Sequence, residues 1–129
     1  MAVIENVTAK IPSVAFTIGA EATNAITVAV QLNGPDPSQD LQGVGVVEMW
    51  LSDASTGVGL TGTAPSGGVA AGTDGEIFIE HVANKHWTVQ SEVDGDIDIV
   101  LTDTGTPTFY LAVKLPNGTI KVSTAITFA

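Results

Sequence analysis

Ile26, Val28, Val30 and Leu32 recur at every second position, with Thr27, Ala29 and Gln31 between them. Side chains that alternate with a period of two belong to a strand with one dry face, so residues 25–32 are predicted as a half-buried β-strand. The same pattern precedes it from Ile11, where Val14, Phe16 and Ile18 alternate with Ser13, Ala15 and Thr17. Pro12 lacks a backbone donor and places that strand's start, or a sheet edge, at its position. Residues 44–52 form a third strand. A carboxylate is almost never buried unpaired, so Glu48 points outward with Val46 and Trp50, and Val47, Met49 and Leu51 point inward. Residues 76–80 suit a fourth strand. Residues 86–93 set Trp87, Val89 and Ser91 against Thr88, Gln90 and Glu92. Further strands follow at 96–101, 109–115 and 119–128, where Phe109, Leu111, Val113 and Leu115 share the apolar face and Tyr110, Ala112 and Lys114 the other.

Turn chemistry separates these segments. Asn117-Gly118 lies between two apolar runs, and both residues tolerate the positive φ that a type I′ turn requires, which makes it the strongest hairpin signal in the chain. Asp94-Gly95 signals a second hairpin into the strand at 96–101. Residues 33–40, with two prolines and a glycine, form a loop, and so do 103–107. Residues 53–75 are rich in Gly, Thr, Ser and Ala and read as a long excursion carrying one or two short edge strands. Seven to nine short strands at intervals of roughly ten residues, without a helical period, suit an all-β antiparallel sandwich or small barrel. It forms one domain over residues 11–129, preceded by an N-terminal arm, residues 1–10, that is either ordered or frayed.

The 129 residues carry a formal charge of −10, from 14 acidic side chains against Lys10, Lys85, Lys114 and Lys121, with no arginine. Nucleic acids and anionic membranes are bound by clustered Lys and Arg, so neither is expected as a partner. A chain of this length buries roughly two thirds of its unfolded surface without a disulfide or metal staple. There is no cysteine. Met1–Asn6 lacks the basic and apolar regions of an export signal, and no apolar run approaches the length that spans a bilayer. The chain is expected to be made in the cytoplasm.

Candidate chemistry is sparse. Gly57-Val58-Gly59-Leu60-Thr61-Gly62 matches the dinucleotide string, but that motif works only where it closes a strand and opens a helix, and Thr63-Ala64-Pro65 follows. Asp94, Asp96 and Asp98, with Asp103 beyond, offer hard oxygens of the type calcium prefers. Asp96 and Asp98 should instead project from one face of a strand about 7 Å apart, as solvated carboxylates. His81 and His86 lack the spacing of a zinc-binding helix and are expected at the surface or at an interface. Ser91, His86 and Asp94 make a catalytic set only on paper, without a nucleophile elbow. No catalytic, cofactor-binding or metal-binding set is assigned. Trp50 and Trp87 are hard to place in an interior already filled by aliphatic side chains. That marks them for a protein contact or a sugar platform, or else for packing beneath the long loops.

The order of features resembles an immunoglobulin-like sandwich. Ile26–Leu32 is similar to its strand B, Val46–Leu51 with Trp50 to strand C, and Ile97–Leu101 to strand E. Asp103-x-Gly105 ahead of Phe109-Tyr110 resembles the corner into strand F, and Asn117-Gly118 the hairpin joining F to G. The cysteine pair of that fold is absent. The missing cysteines and export signal, the acidic Gly/Thr/Ala-rich make-up and a strand that runs up to Ala129 together resemble the small immunoglobulin-like structural proteins of tailed bacteriophages. That resemblance implies a non-enzymatic virion protein without a cofactor, a capsid decoration or cement protein on the outside of a phage head. Its partner would be the major capsid protein or another virion protein, and it would self-associate, with a trimer as one candidate. Contacts would come from the N-terminal segment, through Val3 and Ile4, and from the outer positions Val46, Trp50 and Trp87. The alternative is a carbohydrate- or host-surface-binding module of a phage tail or fibre.

Overall fold

Alternation decides which side of the long central strands is dry, and in the computed structural model it does so on two facing sheets. The structure describes residues 13–36 and 38–129, so Val3, Ile4 and the N-terminal arm lie outside the described residues. The strands are β1 (Ser13–Ile18), β2 (Ala25–Asn33), β3 (Val46–Ser52), β4 (Val69–Ala71), β5 (Glu76–Val82), β6 (His86–Gln90), β7 (Asp96–Thr102), β8 (Thr108–Lys114), β9 (Ile120–Val122) and β10 (Ile126–Thr127). One sheet has four strands in the order β1-β2-β7-β4; the other has six, in the order β10-β8-β3-β6-β5 with β9 also on β8. Every pairing is antiparallel. The chain is an all-β sandwich. Among the described residues no helix is long and apolar enough to cross a membrane.

Ile26, Val28, Val30 and Leu32 of β2 join Ile97, Ile99 and Leu101 of β7 on one inner face. From the other sheet come Val47, Met49 and Leu51 of β3, Phe109, Leu111 and Val113 of β8, then Leu115, and Ile126 and Phe128 near the C-terminus. Phe109 and Phe128 meet edge to face, with ring centroids 6.3 Å apart. Burying a Val, Leu, Ile, Phe or Met side chain contributes about 1.5–3 kcal/mol each, which makes this shared interior the principal source of stability.

Among the described residues there are ten strands against the seven to nine predicted, because the last one is interrupted. β9 and β10 both pair with β8, and Ser123 stands between them. Its amide donates to Leu111 O at 2.9 Å, while its Oγ accepts from Leu111 N at 3.0 Å and donates to Thr124 O at 2.8 Å. The buried hydroxyl stands in for a ladder carbonyl. Ser91 repeats the arrangement at the end of β6, where Gly45 N reaches its Oγ at 2.8 Å and its own amide reaches Gly45 O at 2.8 Å.

Two turns differ from expectation. The Pro116-Asn117-Gly118 turn does join paired strands, but only Gly118 has positive φ, at 86°. Gly118 N donates to Leu115 O and Leu115 N to Thr119 O. This is a three-residue loop led by Pro116, which suits the first central position of an ordinary turn. The two-residue turn with both φ positive lies instead at Thr23 (53°) and Asn24 (63°), closed by reciprocal bonds between Ala22 and Ala25. Asp94-Gly95 makes a tight turn but no hairpin. β6 lies in one sheet and β7 in the other, so the chain crosses the sandwich there. Gly95, at φ 86°, passes so close to β2 that a Cβ would stand 2.5 Å from Leu32 O.

Candidate functional site

The outer face of the six-stranded sheet carries the densest chemistry. Glu48 and Trp50 project outward from β3, as the sequence predicts, with Val46 beyond them, 46% exposed. Across the β3–β6 ladder Glu48 faces Thr88 and Trp50 faces His86; across β3–β8 Glu48 faces Lys114. Trp50 is half-buried, its indole N–H donating to Gly57 O at 2.8 Å and its ring meeting His86 edge-on, with centroids 6.1 Å apart. It packs beneath the loop that follows β3 and is no open platform.

β5 closes this side of the sheet and is irregular. The register shifts between Ile77 and Ile79 and again between Glu80 and Val82, leaving Phe78 and His81 as the extra residues of two bulges. A bulge re-aims side chains. Ile79 pairs with Thr88 and Val82 with His86, on the outer side. His81 lies beside His86, with ring centroids 4.8 Å apart, and His81 Nε2 hydrogen-bonds Thr88 Oγ1 at 2.7 Å. Glu48, His81 and His86 each place a potential ligand atom within 4.8 Å of the other two. Phe78 (61% exposed), Ile79 (49%) and Val82 (39%) add apolar surface on and beside this face.

Trp87 corrects the sequence reading. It is completely buried, paired with Met49 on one side and Glu80 on the other. β6 sends only Trp87 and Val89 into the interior, and β5 only the half-buried Ile77, so one large ring takes volume that several aliphatics occupy elsewhere. Its alternation with Val89 was the available signal. Trp87 therefore has no part in a surface contact.

The remaining candidates fall apart or become structural. Ser91 lies on the buried side of β6 and His86 on the outer side, so they do not meet. The glycine string opens no helix; Asp53 ties its end down by accepting from Gly62 N at 3.0 Å and Thr61 Oγ1 at 2.6 Å, bonds that hold the Asp53 carboxyl below its ordinary pKa. Asp103 is buried, which pushes its pKa up. The Ser66 and Gly105 amides, at 2.8 and 2.7 Å, with the Ser66 hydroxyl, outweigh this and hold it low. Asp103 caps a loop, away from the other aspartates.

Asp96 and Asp98 do project from the outer face of β7, where Asp74 joins them in a shallow pocket. Partial burial and the Asp94 carboxylate raise the Asp96 pKa; burial and the Asp98, Glu92 and Asp94 carboxylates raise that of Asp74. No family model, no curated protein and no solved structure matches the chain.

Proposed function

We propose that the chain is a non-enzymatic virion structural protein, an immunoglobulin-like sandwich that decorates the outer surface of a tailed-phage head. The observation that carries this is the grouping of Val46, Phe78, Ile79 and Val82, all exposed, along the β3–β6–β5 side of one sheet. Apolar surface gathered on one side of a domain marks a contact. The two bulges in β5 break the regular ladder at that edge, which disfavours addition of a further strand and leaves side chains to make the contact. With a charge of −10, the rest of the surface keeps the protein dispersed.

The strand pairing supports the immunoglobulin-like assignment. β1-β2-β7-β4 corresponds to the A-B-E-D sheet, and β3, β8 and β9 pair as C, F and G do. The departure is β6, which stands beside β3 although β4 precedes it in sequence.

Specific contacts of this kind bury about 1,200–2,000 Å² in total, and a lattice of capsid subunits multiplies a modest single affinity. The partner is the major capsid protein or another virion protein, reached by single chains or by a small homo-oligomer. Titrating purified chain onto assembled heads that lack it tests the assignment. Saturation at a fixed copy number per head supports it. Binding to glycan arrays with no binding to heads would move the protein to a tail fibre.

A further inference from the structure

Glu48, His86 and His81 come from three neighbouring strands and converge on one spot of the outer sheet face. We propose that these three side chains bind a divalent transition-metal ion, with zinc as the best chemical fit. Imidazole nitrogen suits zinc, copper and nickel, whereas calcium and magnesium take oxygen donors. Donors bound at 2.0–2.1 Å around a tetrahedral ion lie about 3.4 Å from one another. The three ligand atoms lie within 4.8 Å of each other without an ion, a difference that side-chain torsion closes while the backbone stays in place.

The supporting structure is that of a built site. β3 and β6 are paired through Glu48–Thr88 and Trp50–His86, which fixes the spacing of Glu48 and His86. The register shift at Phe78 puts the third donor on this face: with Ile79 opposite Thr88 and Glu80 opposite Trp87, His81 falls outward, whereas a ladder continued from Ile77 without a shift would have turned it to the opposite face. Thr88 hydrogen-bonds the His81 ring, the type of outer contact that orients a ligating imidazole, and Trp50 abuts the His86 ring. Three protein donors leave a fourth position open to water or to a donor from a docked molecule.

This inference concerns the isolated chain and does not rest on the phage-head assignment, so either can fail alone. Calorimetric titration of the full chain with zinc chloride, alongside calcium chloride, tests it, with circular dichroism monitoring the fold. Zinc is expected to saturate a single site at micromolar concentration and raise Tm, while calcium does neither. His81→Gln and His86→Ala should each abolish saturable binding, and Thr88→Val should weaken it about tenfold. Should His86→Ala disturb the fold, His81→Gln, at an exposed position, decides alone. Absence of saturable zinc binding, equal binding of calcium, or undiminished zinc affinity in His81→Gln overturns the proposal.

Discussion

The indole N–H of Trp87, whose ring is fully buried, reaches Glu80 Oε2 on the neighbouring strand at 3.3 Å. The same oxygen accepts from Asn84 N at 3.1 Å, and Asn84 Oδ1 accepts from Val69 N at 3.0 Å. One carboxylate thus links a core side chain, the β5–β6 turn and the short strand β4 of the other sheet.

Glu80→Ala removes that link and strands a buried donor, which costs about 1–2 kcal/mol. For a domain of this size Tm should fall by about 3–5 °C per kcal/mol. Glu80→Gln keeps an acceptor and should recover most of the loss. Thermal melts followed by tryptophan fluorescence check this; equal losses in both variants would mean that the carboxylate acts through its charge.

Thr23 holds a φ of 53° although it is β-branched, in the turn between β1 and β2. Left-handed backbone costs such a residue about 1–2 kcal/mol, and asparagine, already present at Asn24, adopts it with less strain. Thr23→Asn should therefore stabilise the protein by about 0.5–1 kcal/mol, read as a higher midpoint in urea with an unchanged slope.

The aspartates of opposite pKa shift should respond oppositely to acid. Asp96 has a folded pKa above its ordinary 3.8, so its contribution to stability is complete below 3.8 and is lost as pH rises through the folded value. At neutral pH its charge is a burden, and Asp96→Asn should raise Tm at pH 7 but not below pH 3.8. Asp103 is held low, so its contribution is present above 3.8 and is lost as pH falls through the folded value. Asp103→Asn should lower Tm at pH 7, with the deficit shrinking in strong acid. Melting curves from neutral to strongly acidic pH separate the two signs.

The inner faces of β2, β3, β7 and β8 were legible from alternation alone, because a period of two leaves a strand one dry side. Where a position depends on an irregularity, sequence misled or was silent. Trp87 alternates with Val89 and so belonged inside, but a core counted as full of aliphatics left it no room; the deficit of inward side chains on β5 that admits it shows only once the strands are paired. Asp94-Gly95 carries hairpin chemistry, yet its two strands diverge into different sheets, a choice made by long-range pairing of β6 with β3 and of β7 with β2. The convergence of His81 on His86 and Glu48 was invisible for the same reason, since a bulge that changes which way a side chain points has no local sequence signature here. The sequence places Glu48 outward and His86 at the surface or an interface, but their adjacency follows only from the β3–β6 register.

Oxidative footprinting of the protein alone and after incubation with phage heads tests the proposed attachment surface most directly. Phe78, Ile79, Val82 and Val46 should be labelled in the free chain and shielded on heads, while Val58, on the loop after β3 and 76% exposed, stays labelled in both. Unchanged labelling of the β5 residues on saturated heads, with shielding elsewhere, would contradict the account.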